Sequence, residues 1–72
     1  MMNNAGDDAL SERQIEILQS LSRGFTNRDI ARQVGLTTAG IKFHLLAIFR
    51  KLGAANRSEA VAIALRKHLL KI

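Results

Sequence analysis

With 72 residues and no cysteine, the chain has room for one domain and lacks the disulfide and thiolate-metal staples that small secreted scaffolds depend on. No apolar run approaches the ~20 residues needed to cross a bilayer, and the polar, acidic start from Met1 to Asp8 is unlike a signal peptide, so a soluble cytoplasmic domain is expected. The net charge of +5 is unevenly spread: residues 1–29 set Arg13, Arg23 and Arg28 against Asp7, Asp8, Glu12, Glu16 and Asp29, whereas residues 30–72 carry a net +7 with Glu59 as their single acid, a one-signed field that favours polyanions such as nucleic acid or an anionic membrane surface.

Residues 1–9, with Gly6, two asparagines and two aspartates, read as a flexible leader, and residues 10–72 as the domain. From Leu10 the apolar spacing is helical throughout and predicts an all-α domain of four helices, at about 11–23, 26–33, 37–52 and 56–69. Ser11 caps the first, with Gln14 reaching back as a capping box, and Ile15, Leu18 and Leu21 form its inner stripe. Gly24 ends it. Thr26 caps the second, Asp29 lies in its favourable first turn, and Ile30, Ala31 and Val34 face inward.

The tight Val34-Gly35-Leu36 connection leads into the third helix, capped by Thr37 or Thr38 and closed at Gly53. Two helices so joined form a helix-turn-helix, whose second member enters the DNA major groove. Ile41, Leu45, Ile48 and Leu52 recur on one face of that helix, and the opposite face offers Lys42, Phe43, Leu46 and Arg50 with no acid among them. Asn56 with Glu59 gives a box-like start to the last helix, whose run from Val61 to Leu65 is apolar on all sides. A terminal helix in so small a domain presses one side on its own core, so the second side, Ala62, Ile63 and Leu70 flanked by Arg66, is expected to be a dimer face.

Five blocks then resemble a known family: Leu10-Ser11-x-Arg13; Gly24 through Ala31; Ile41-Lys42-x-His44; Arg50-Lys51-Leu52-Gly53; and Asn56 through Val61. In order and spacing they are similar to the LuxR-type (FixJ/NarL) helix-turn-helix domain over about residues 10–70. The resemblance implies a four-helix DNA-binding domain, usually the C-terminal part of a transcription regulator, that dimerises through its last helix on an inverted-repeat site. It places base contacts at Lys42, Phe43 and Leu46 and phosphate contacts at Thr26, Asn27, Arg28, Thr37, Thr38 and Lys51. Arg50 and Arg57 join these as phosphate clamps and His44 as a packing or phosphate-facing residue, since rim cations and free amides at helix N-termini hold phosphate. Lys42 reaches guanine O6 or N7, whereas Phe43 makes apolar contact with a thymine methyl or a sugar edge. Gly40 stands where the family usually has Thr, Leu46 and Ala47 replace commonly polar positions, and Gln14 replaces a usual Glu, so the third helix is poorer in hydrogen-bonding groups than its relatives.

The expected partners are double-stranded DNA, a second copy at least on DNA, and RNA polymerase as a further candidate. No membrane, cofactor, metal or small-molecule ligand is expected. Neither His44 nor His68 has a nearby carboxylate or thiol to make a catalytic or metal pair, and no nucleophile-base pair or glycine-rich phosphate loop is present, which argues against an enzyme. The alternative is a protein-interaction module whose exposed Phe43, Leu46, Ile63 and Leu70 bind another regulator, with DNA affinity lost. The promoter-binding domain of a sigma factor fits the first helices but not the Asn56–Val61 block or the apolar last helix.

Overall fold

In the computed structural model, which describes residues 9–71, the chain forms α1 (Glu12–Ser22), α2 (Asn27–Val34), α3 (Thr38–Leu52) and α4 (Arg57–Arg66), with no strand among the described residues. The expected leader lies outside those residues except for Ala9.

Each helix begins where a short polar side chain accepts from the backbone three residues on, satisfying one of the amides that a helix start leaves unpaired. Ser11 and Gln14 exchange bonds of 3.1 and 3.0 Å at α1, and Thr26 and Asp29 exchange bonds of 3.1 and 3.3 Å at α2. Thr37, not Thr38, caps α3, its hydroxyl accepting from Gly40 N at 3.0 Å. At α4 the Asn56 side chain accepts from Glu59 N at 2.9 Å, while the Glu59 carboxylate reaches back one residue further than a capping box requires, to the Ala55 amide.

α2 stops at Gly35, whose φ of +75° lets its amide and that of Leu36 both turn back to Ala31 O. Two further bonds tie α2 to α1: Ser20 Oγ donates to Gln33 Oε1 at 3.1 Å and Arg13 Nη1 donates to Val34 O at 3.2 Å. These bonds fasten the end of α2 to α1 just before the turn into α3.

α3 is the spine, packed against α1, α2 and α4. Its inward residues Ile41, Leu45, Ile48 and Leu52 meet Ile17, Leu18 and Leu21 of α1, Ile30 of α2 and Ala60 and Ala64 of α4 in one core. The inner stripe of α1 differs from expectation. Gln14, Ile17, Leu18 and Leu21 are buried and Ile15 is half-buried at the edge, because the stripe follows the i, i+3, i+4, i+7 rows.

The end of the chain corrects a second expectation. α4 closes at Arg66, three residues early, because His68 adopts a left-handed φ of +58° and the amides of His68 and Leu69 turn back to Leu65 O and Ala64 O. This is the geometry that glycine usually supplies at a helix end. The reversal swings Leu70 into the core and lays Lys71 beside α1, where its amide donates to Gln19 Oε1 at 2.9 Å and its carbonyl accepts from Gln19 Nε2 at 2.8 Å. Ile63 and Leu70 are each only 8% exposed. They are core residues of the single chain, so two of the four residues expected at a dimer face turn inward, while Ala62 and Arg66 stay exposed.

Candidate nucleic-acid interface

The side of α3 turned away from the core carries Ala39, Lys42, Phe43, Leu46 and Arg50, all exposed, at the i, i+3, i+4, i+7, i+11 spacing of one helical stripe. Phe43 is 75% and Leu46 67% exposed, so two large apolar side chains stand in solvent beside two cations. Folded proteins leave many single apolar residues outside, but a pair on one stripe with no acid between cations marks a contact surface.

Two helix starts meet along one side of this stripe. Asn27 begins α2 and Arg57 begins α4, and Arg57 Nη2 donates to Asn27 Oδ1 at 2.8 Å. Together with Lys42, Leu45, Leu46 and Phe49 they line an open groove of about 270 Å³ along one flank of α3. The remaining guanidinium donors of Arg57 and the side chain of Arg28 stay exposed at these two helix starts. The acids nearest this rim, Asp29 and Glu59, are engaged in capping α2 and α4. Both carboxylates keep their charge and stay exposed, so the rim's positive balance rests on Arg28, Lys42 and Arg57 outnumbering them.

The structure brings together Lys42, Leu46, Asn27 and Arg57 around the groove, with Phe43 and Arg50 on the far side of Leu46. Thr26 and Thr37 lie exposed at the starts of α2 and α3, their hydroxyls already committed to capping bonds, and Thr38 is exposed beside Thr37. His44 is half-buried on the flank, off the exposed stripe. Lys51 departs from expectation: it is half-buried on the side of α3 next to α1, and its Nζ donates to Gln14 Oε1 at 2.9 Å and to Ala9 O at 3.1 Å. An ammonium holding two protein acceptors on that side is a tie between α3 and the start of α1, not a free phosphate donor. Phe49 and Leu45 were missed as groove residues, although Phe49 follows Lys42 and Leu46 at the seven- and three-residue steps of one helix flank. The Asn27–Arg57 pair spans thirty positions, and no local pattern announces it.

Among the described residues no cluster of His, Cys, Asp or Glu has the makings of a metal site, and no helix is long and apolar enough to cross a membrane.

A four-helix domain whose capped α2 and Gly35 turn deliver a long helix with a bare, cation-flanked outer side is a helix-turn-helix DNA-binding domain. The profile of GerE, bacterial regulatory proteins of the luxR family, matches residues 8–64, and the chain belongs to that family. It is a family of DNA-binding transcription regulators, not of enzymes. The chain is 44% identical over 57 residues to the transcriptional regulatory protein ComA of Bacillus subtilis (strain 168), a match that covers 79% of this chain and 27% of ComA. To the transcriptional regulatory protein YdfI of the same organism it is 33% identical over 72 residues, 100% of this chain and 34% of YdfI. It thus spans about a third or less of these relatives. Among solved structures, the transcription factor GerE superposes with a TM-score of 0.82 at 32% identity, covering 86% of this chain and 92% of that one. The response regulator ChrA of a heme-sensing two-component system superposes with a TM-score of 0.81 at 44% identity, covering 85% of this chain and 30% of that one.

Proposed function

We propose that this domain binds double-stranded DNA in the cytoplasm, with the outer side of α3 in the major groove. Lys42, Phe43 and Leu46 face base edges, and Arg28, Arg50, Arg57 and the N-terminal turns of α2 and α3 at Thr26, Asn27, Thr37 and Thr38 hold phosphates. The observation that carries this reading is the exposed, acid-free stripe of α3 beside the paired N-termini of α2 and α4, since amide-rich helix starts attract phosphate and an α-helix fits the width of the major groove. Two copies related by a two-fold axis through α4 then read an inverted repeat, their α3 helices one turn of duplex apart. On α4 the side available for this is the exposed row Ser58, Ala62 and Leu65 with Arg66 beside it, Leu65 being 40% exposed. RNA polymerase is a further partner in keeping with the transcriptional relatives.

Selection of bound sites from random duplexes at two salt concentrations tests this reading. The expected result is an enriched, near-palindromic site whose affinity falls steeply with salt. Absence of enrichment even in dilute buffer overturns it. The exposure of Phe43 and Leu46 also suits a protein-binding module, which would show a nearly salt-insensitive contact and no duplex binding. The burial of Ile63 and Leu70 removes half of the apolar surface on which that alternative relied.

A further inference from the structure

On α3 the exposed stripe can donate hydrogen bonds but cannot accept them. Lys42 and Arg50 are pure donors, and Ala39, Phe43 and Leu46 offer hydrocarbon only. This limits which base edges the helix can distinguish in a major groove. Cytosine is recognised there by an acceptor for its N4 amino group, and adenine by an amide that bonds N6 and N7 together. Neither acceptor nor amide is present on the stripe. What remains readable is the acceptors, of which guanine alone offers an adjacent pair, O6 and N7, while adenine N7 and thymine O4 are single, and the methyl group on C5 of a pyrimidine.

Leu46 is one helical turn from Lys42, and Phe43 is one turn before Leu46 on its other side, so Lys42, Leu46 and Phe43 lie side by side on one surface with the cation at one edge. Leu46 also forms part of the wall of the groove of about 270 Å³ that it shares with Lys42, Leu45 and Phe49. Both side chains are mostly in water in the free chain, at 75% and 67% exposure, and therefore have apolar surface to lose on contact.

Resting on the reading of α3 as the groove-entering helix, we propose that the domain selects duplexes by C5-methyl groups, carried by thymine or by 5-methylcytosine, to one side of a guanine held by Lys42. Phe43 and Leu46 are the specificity-determining residues. Thymine and 5-methylcytosine present the same methyl at the same ring position and differ in the exocyclic group at C4, an acceptor in thymine and a donor in 5-methylcytosine, for which Phe43 and Leu46 have no polar atom. Covering one methyl is worth about a fourfold gain in affinity.

The test uses the 72-residue chain and a duplex obtained by selection. Replacing each thymine in turn by deoxyuridine removes the methyl and keeps the base pair. At the positions under Phe43 and Leu46 the expected loss is about fourfold per methyl. A cytosine placed at the same position should bind about fourfold better when methylated at C5 than when unmethylated, which separates the two sources of the group. In Phe43→Ala and Leu46→Ala, both exposed positions where truncation spares the core, the preference for thymine over deoxyuridine should disappear position by position. If deoxyuridine duplexes bind as tightly as thymine duplexes, methyl readout is overturned while DNA binding stands. If the preference persists in both alanine variants, the methyl acts through duplex shape and the assignment to Phe43 and Leu46 is overturned. If no duplex binds at all, it is the DNA reading itself that fails.

Discussion

Lys51 and Arg50 are neighbours in sequence, both cationic and both near the end of α3, yet the structure gives them opposite work, and a pair of alanine variants separates the two. Arg50 is exposed on the stripe. Lys51 is half-buried against α1 with its ammonium on Gln14 Oε1 and Ala9 O. If Arg28, Arg50 and Arg57 each hold one phosphate per subunit, a DNA-bound pair neutralises six, and log K falls with log salt at a slope of about −5.4. Between 50 and 200 mM salt that slope corresponds to about a 2,000-fold loss of affinity. Arg50→Ala removes two of the six contacts, so its slope is expected near about −3.6 and its loss over the same interval near about 150-fold. Its effect on folding should stay within about 0.5 kcal/mol, as for other exposed substitutions.

Lys51→Ala should do the reverse. Gln14 Oε1 keeps its bond from Ser11 N, so no acceptor is orphaned there, and the loss is that of one tie between α3 and α1, about 1 kcal/mol. For a domain of this length that lowers the melting temperature by roughly 4–8 °C. The salt slope should match the parent's. Fluorescence-anisotropy titrations at four salt concentrations and thermal melts by circular dichroism supply both readouts. A slope that flattens as much in Lys51→Ala as in Arg50→Ala, with an unchanged melt, would refute the inward assignment and return Lys51 to the phosphates.

Three further outcomes are expected. Ile48→Ala removes a fully buried side chain at the centre of the core and should cost about 2–5 kcal/mol, enough to leave so small a domain largely unfolded at 37 °C by circular dichroism. His68→Gly relieves the left-handed backbone at the end of α4 and should stabilise by about 0.5–1 kcal/mol, read as a higher melting temperature; no change would mean the imidazole contributes as much as the strain costs. Leu65→Glu, on the exposed row of α4, should leave the melt unchanged but weaken binding to a two-half-site duplex far more than to a single half-site, whereas Ile63→Glu should unfold the chain. Equal losses on both duplexes for Leu65→Glu would exclude that row from the pairing surface.

What the sequence made legible was local. Ser11 with Gln14, Thr26 with Asp29 and Asn56 with Glu59 are bonds across three residues, so the helix starts followed from residue types alone, and the inward row Ile41, Leu45, Ile48 and Leu52 followed from a period of one helix. The contacts it left unread join distant parts of the chain: Arg57 on Asn27, Lys51 on Gln14, Gln19 on Lys71. Of these, the second takes Lys51 off the phosphates and the last alters the expected pairing face. An apolar run on all sides of α4 suggested a face waiting for a second chain, but a backbone reversal at His68, where neither glycine nor asparagine marks a helix end, carries Leu70 into the same core as Ile63 and leaves Ala62 and Leu65 outside.

The surplus apolar surface on α4 is therefore small. A ten-residue helix presents a face of about 15 Å by 10 Å, and Ala62 and Leu65, with the half-buried Val61, are the apolar side chains left on it. Two such faces stay well short of the ~1,200 Å² at the low end of stable interfaces. Pairing of the free domain should accordingly be weak, with DNA supplying the missing association by holding two copies one helical turn apart, where each raises the effective concentration of the other. Sedimentation at micromolar concentration should find a monomer without DNA and two copies on a two-half-site duplex. A stable dimer in the absence of DNA would mean that a surface other than the exposed row of α4 does the pairing.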